Sequence, residues 1–138
     1  MLYYAVFDTN VLVSALLTSN PESATVQVVD RLFDGDLILL LNEDILKEYE
    51  EVLSRKKFGF SNTVVNVLLS AIKANGEMVE TDMEGMTLPD MKDLSFYAVV
   101  LEKREDDAYL VTGNLKHFPR EPFIVTPREF LDIISMKR

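Results

Sequence analysis

The side chains in this sequence best suited to chemistry are carboxylates, and where they fall matters more than how many there are. Asp8 closes the apolar run Tyr4-Ala5-Val6-Phe7, so its carboxylate projects at the rim of a buried strand rather than from a solvated loop. It either caps the helix that follows or serves a site, and Asn10, two places on, is free to do the capping. Asp93 lies in the apolar stripe of a helical segment from about Lys92 to Arg104: at about 100 degrees per residue it falls between Tyr97 and Val100, with Phe96 and Leu101 just beyond. An unpaired charge there costs several kcal/mol. The attraction of a first-turn acid to the helix dipole returns less than about 1 kcal/mol, so a bound cation explains Asp93 better. Asp90 is a further donor or part of an exposed turn. The helix after Leu41 carries Glu43, Glu48, Glu50 and Glu51, most of them a solvated face; Glu48 and Glu50 flank the apolar arc on opposite sides, and periodicity does not choose between them. Thr112 and Asn114 follow the strand Tyr109 to Val111, which brings a hydroxyl and an amide to the rim that receives Asp8. Both are oxygen donors that a hard cation accepts, although Gly113-Asn114 also reads as an ordinary turn. His117 reads as a packing or turn residue, since no nucleophile is placed beside it.

Carboxylates that converge need a counter-ion. Like charges about 4 Å apart repel by around 4 kcal/mol at an effective dielectric near 20, and a divalent cation removes that penalty. Such an ion orients a water, lowers its pKa and stabilises charge on a phosphorane-like transition state, so metal-assisted hydrolysis of a phosphodiester is the chemistry these residues suit.

The elements that must position them alternate. Tyr3 to Phe7 is a strand, and Val11 to Leu17 a helix entered through Thr9 and Asn10. A second helix starts near Pro21 to Ser23 and stops at Gly35. Leu37 to Leu41 is an apolar run of the kind buried on both faces of a sheet, and Asn42 caps the next helix, to about Arg55. Ser61 and Gly76 bracket a fourth helix; Glu77 to Thr81 is a short strand, Met83 to Met91 a loop. After the helix of Asp93 and the strand at Tyr109 comes Phe123 to Val125, then Thr126 as N-cap, Pro127 at the first helical position and Glu129 completing a capping box. Strands alternating with helices predict a three-layer α/β/α fold with a mainly parallel central sheet, whose ligand site lies outside the carboxyl ends of the strands.

Composition sets limits. The 138 residues with 48% hydrophobic content suit one domain over 1–138, and no repeat or linker divides them. Without cysteine, thiolate metal sites and disulfides are excluded, and any metal is held by oxygen or by His117. The start MLYYAVFDTN has no basic region, and no apolar run reaches the roughly 18 residues of a membrane span, so a cytoplasmic protein without membrane contact is expected. A net charge of −9 argues against a basic face for phosphates, an objection that weakens where acids hold divalent cations.

Together VFDTNVLVSAL, ILKEYEEVL, DMKDLSFYAVV with DDAYLVTGNLKHFP, and the closing VTPREFL resemble the PIN-domain family, in particular its branch of toxins from toxin-antitoxin modules. The resemblance runs from end to end, and four segments in the right order are specific where any one is weak. It implies an acidic pocket binding Mg2+ or Mn2+ and hydrolysing RNA. Carried over by position, the site acids are Asp8, Glu48 and Asp93, the last with the small Ala98 five residues later; this chooses Glu48 over Glu50. Where many members have a fourth acid, this chain has Asn114, which implies a three-carboxylate site with Asn114 as a neutral or water-mediated contact and Asp90 as a possible compensation. The resemblance further implies a homodimer held inactive by a small antitoxin protein. Two other readings stand beside it. One is phosphoryl transfer with Asp8 as nucleophile, against which Asn10 counts, since a haloacid-dehalogenase-like phosphatase usually has a second Asp there. The other is a non-catalytic interaction module.

Overall fold

The structure, a computed structural model, describes residues 2–88 and 91–136. The apolar runs form β1 (Tyr3–Phe7), β2 (Leu37–Leu41), β3 (Gly76–Met78), β4 (Tyr109–Val111) and β5 (Ile124–Val125). The helices are α1 (Thr9–Leu17), α2 (Ala24–Asp34), α3 (Glu43–Leu53), α4 (Asn62–Asn75), α5 (Leu94–Glu102) and α6 (Pro127–Met136). The sheet order is β3-β2-β1-β4-β5 and every pairing is parallel, so the expected three-layer α/β/α fold forms with a wholly parallel sheet. Consecutive residues Ala5, Val6 and Phe7 are all 0% exposed, which requires cover on both faces of β1. α5 packs across β1, β2 and β4, while α2 packs on α1, α6 and β2.

This order fixes where a site can form. The chain grows from β1 outward through β2 to β3, then returns to lay β4 and β5 on the other side of β1. The reversal falls between β1 and β4, and the crevice at a topological switch point opens at the carboxyl ends of its two strands. There Asp8 N–H donates to the Val111 carbonyl at 3.0 Å, carrying the β1–β4 ladder up to the residue in question.

Several boundaries differ from the sequence reading. α1 begins at Thr9, so Asn10 lies inside its first turn and Asp8 takes the extended N-cap position. α5 begins at Leu94 because a 3-10 turn, Met91–Asp93, precedes it and leaves Asp93 at its N-cap position, and it ends at Glu102 just before a second 3-10 turn, Arg104–Asp106. α3 ends at Leu53, β5 starts at Ile124, and the short strand is Gly76–Met78 rather than Glu77 to Thr81. Gly76 ends α4 through close approach: a Cβ there would meet the Ile72 carbonyl oxygen at 2.5 Å and Leu41 Cδ1 at 2.8 Å. Gly35, with φ of 82°, closes α2 in the left-handed conformation that favours glycine. Asp90 lies outside the described residues. Among the described residues no helix is long and apolar enough to cross a membrane.

Candidate active site

Asp8 is 6% exposed at the end of β1. Although it occupies the N-cap position of α1, its side chain makes no capping bond there. Its Oδ2 instead accepts from Thr112 Oγ1 at 2.8 Å and from Asn10 Nδ2 at 3.1 Å. Thr112 is fully buried just past β4, so the hydroxyl expected to face a cation is engaged in holding Asp8 from the neighbouring strand. Asn10 Oδ1 accepts from Gly113 N–H at 3.1 Å, and Asn114 N–H donates to Thr112 Oγ1 at 2.9 Å. The loop after β4 is thereby tied to the start of α1. Asn114 opens the 3-10 turn Leu115–His117, and its own residue is exposed.

Glu48 reaches the same rim from α3. Thr9, the first residue of α1, donates its hydroxyl to Glu48 Oε2. The α3 register follows from Asn42, whose Oδ1 accepts from Ile45 N–H at 2.8 Å, and from Tyr49, a fully buried residue whose hydroxyl donates to the Phe7 carbonyl at the last turn of β1. Tyr49 therefore locks α3 against the end of β1 and leaves its neighbour Glu48 facing Thr9. Glu50 points elsewhere: it is exposed, with Lys73 Nζ 3.9 Å from its carboxylate. Arg55 is likewise engaged away from the rim, at 2.8 Å from Glu51.

Asp93 is buried before α5, and His117 Nδ1 stands 3.4 Å from its Oδ2. His117, read from the sequence as a packing or turn residue, stands against Asp93. It is half exposed, it faces Asp93, and its charge when protonated lowers the Asp8 pKa. Thr9, Asn10, Tyr49 and His117 were not singled out as site residues from the sequence. For His117 the signal was present: it follows Asn114 by one 3-10 turn, on the loop already assigned to the rim.

Burial pushes the Asp8 carboxyl above its ordinary range; the Thr112 hydroxyl, the backbone amides of Thr9 and Asn10 and the His117 charge pull back only in part. Burial also raises Glu48, opposed by the Thr9 hydroxyl and reinforced by the Asp8 charge. Tyr49 is held well above the usual phenol range, first by burial and then by the charges of Asp8 and Glu48, which keeps its hydroxyl a donor. The protein thus desolvates two acids beside each other at the switch point.

Oxygen donors from Asp8 and Glu48 suit a hard divalent cation, whose charge would answer the desolvation and mutual repulsion both acids carry. Asp93 is turned to His117, and among the described residues no three acids or histidines stand close enough together to hold one ion. A cleft of about 240 Å³ lined by Asp44, Glu48, Lys92, Ser95 and Phe96, among others, opens beside Glu48.

A wholly parallel α/β/α sheet with buried acids at its switch point describes a class of protein. The family model for the PIN domain matches residues 4–116, an interval that includes Asp8, Glu48, Asp93, Thr112 and Asn114, and the chain belongs to the PIN-domain family. PIN domains are generally nucleases. No curated protein and no solved structure matches this chain.

Proposed function

We propose that this chain is an endoribonuclease dependent on Mg2+ or Mn2+, and the toxin component of a toxin-antitoxin module. The observation that carries the nuclease reading is the pair Asp8 and Glu48, two desolvated carboxylates joined through Thr9 at the end of the central strand of a PIN domain. Asp8 and Glu48 would hold the cation and Asp93 would meet it only through water, and when bound it supplies an activated water and a counter-charge for the transition state. Thr112 and Asn10 orient the Asp8 carboxylate, and Thr9 orients Glu48. Asp93 would take up the proton of the attacking water, with His117 Nδ1 3.4 Å from its carboxylate as the next group along. Asn114 adds no charge to the rim. The test is gel-resolved hydrolysis of single-stranded RNA by the purified chain: cleavage in manganese and none in EDTA is expected, and an inert protein in saturating manganese overturns the reading.

The toxin reading adds a cytoplasmic location, a homodimer and a small antitoxin protein that inserts a basic side chain into the acidic pocket, where it would take the place of the cation's charge. An apolar groove of about 290 Å³ between α2 and α4 supports a second copy as one partner: Phe33 and Val67 on its walls are 54% and 55% exposed. Growth arrest on strong expression and a dimer by light scattering are expected. Unaffected growth overturns the toxin role and leaves the nuclease standing; a strict monomer at high micromolar concentration overturns the dimer.

A further inference from the structure

The two outer sides of the sheet differ in charge. At the β2–β3 end Glu43, Asp44 and Glu80 line an open cleft of about 710 Å³. At the β4–β5 end the connection between the two strands lines another of about 770 Å³, from Leu115 and Lys116 past the carboxyl end of β4 to Pro122 and Ile124 at the entry of the parallel β5, and its cations are Lys116 and Arg120. Both are exposed, and among the described residues neither is in an ion pair, whereas Arg31, Arg55, Lys73 and Lys103 all are. The acid in this cleft, Glu121, acts on the Tyr97 hydroxyl, whose pKa burial raises first and Glu121 further. The rest of the lining is largely apolar: Leu115, 42% exposed, with Pro119 and Pro122. One end of the cleft adjoins the site through the chain. Lys116 sits beside His117, which meets Asp93, and the turn carrying both starts at Asn114, bonded through Thr112 to Asp8.

We infer that this cleft seats single-stranded RNA on its way to the Asp8–Glu48 centre, with Lys116 and Arg120 as phosphate contacts. What happens at the centre rests on the nuclease reading; the binding does not. A chain of net charge −9 repels a polyanion as a whole, so attraction has to be local, and this cleft presents two cations outside any ion pair, the first of them next to the rim. Cations beside apolar surface match a chain of alternating phosphates and bases. A single inorganic phosphate has no use for the apolar floor, and a duplex hides its base faces from it. The opposite, acidic end of the rim repels the strand, which gives the bound chain a direction: it enters over β4 and β5.

The test is binding of a fluorescent single-stranded RNA 12-mer by anisotropy in EDTA, so that nothing is cut, across a series of salt concentrations. Three proteins are compared: wild type, Lys116→Ala with Arg120→Ala, and a control in which Lys56→Ala and Lys57→Ala remove the same charge from exposed positions away from the rim. Each phosphate contact contributes about 0.7 to the salt slope on a single strand, so the first double variant should lose about 1.4 of slope and about tenfold in affinity at low salt. The control should bind as wild type does. Equal weakening of both variants would assign the effect to net charge and overturn the cleft, as would unchanged binding in both or no measurable binding by wild type. RNA bound through Lys116 and Arg120 but never cut in manganese overturns the nuclease reading and keeps the cleft. RNA cut with the same KM by the Lys116→Ala, Arg120→Ala protein does the reverse.

Discussion

Two strand-to-helix joints on the same edge of the sheet use the same kind of residue in opposite ways. Where β5 meets α6, Thr126 accepts the Glu129 N–H at 3.1 Å and Glu129 returns the bond to the Thr126 N–H at 2.9 Å, so both side chains are consumed locally. Where β1 meets α1, Asp8 holds the equivalent place, yet its side chain caps nothing and takes its partners from Thr112 and Asn10. The joint between β2 and α3 follows the first pattern, with Asn42 capping Ile45. A good capping residue whose side chain makes no capping hydrogen bond, in a buried position where its charge is penalised, adds little to the start of its helix. The difference sets Asp8 apart from Thr126 and Asn42 without reference to any ligand.

The largest effects should come from the joint that does not cap. Asp8→Asn is expected to lower manganese-dependent RNA hydrolysis by about a thousandfold or more, the scale of losing a principal electrostatic group. In cation-free buffer the same change should raise Tm by a few degrees, because it removes a desolvated charge while keeping an oxygen for Thr112. Hydrolysis assays with thermal circular dichroism read both, and retained activity would remove Asp8 from the mechanism. Next, Glu48→Gln should cost about a hundredfold in activity while Glu50→Gln, on the Lys73 side of α3, changes little; the opposite order would reassign the helix acid. At the capped joint Thr126→Ala should leave activity alone and cost about 1 kcal/mol of stability, seen as a shifted denaturation midpoint. A loss of cleavage there would erase the contrast between the joints.

The smallest effect is in pH. Asp8 and Glu48 are raised above ordinary values of 3.8 and 4.5, so the folded chain holds their protons more tightly than the unfolded chain does. Their contribution therefore lowers stability as pH climbs from those values through the raised ones, then levels off. Melts in EDTA should show this decline, and Asp8→Asn should flatten it. A decline of the same size in that variant would place its origin elsewhere.

How far the sequence went follows the range of the interactions. Strand runs such as Leu37 to Leu41 and caps such as Thr126 with Glu129 are decided within a few residues, and these elements and the fold they imply are all present. The start of α1 was misplaced because Asn10 is a good cap by type, while its amide is drawn instead to Asp8 and Gly113, a contact between β1 and β4 that spans most of the chain. Asp8 was visible as an acid ending an apolar strand. The side of α3 that faces it is not legible in periodicity, where Glu48 and Glu50 are equivalent; the family resemblance chooses Glu48, and Thr9 and Lys73 separate the two across tertiary contacts. His117 was passed over for the same reason: its partner Asp93 comes from the far side of β4.

The central claim is that Asp8 and Glu48 form a cation site at the switch point, and anomalous diffraction from crystals grown with manganese tests it most directly. The expected map has a manganese peak bonded to carboxylate oxygens of Asp8 and Glu48. A map whose only peaks lie on other acids, or with none at saturating manganese, would contradict it.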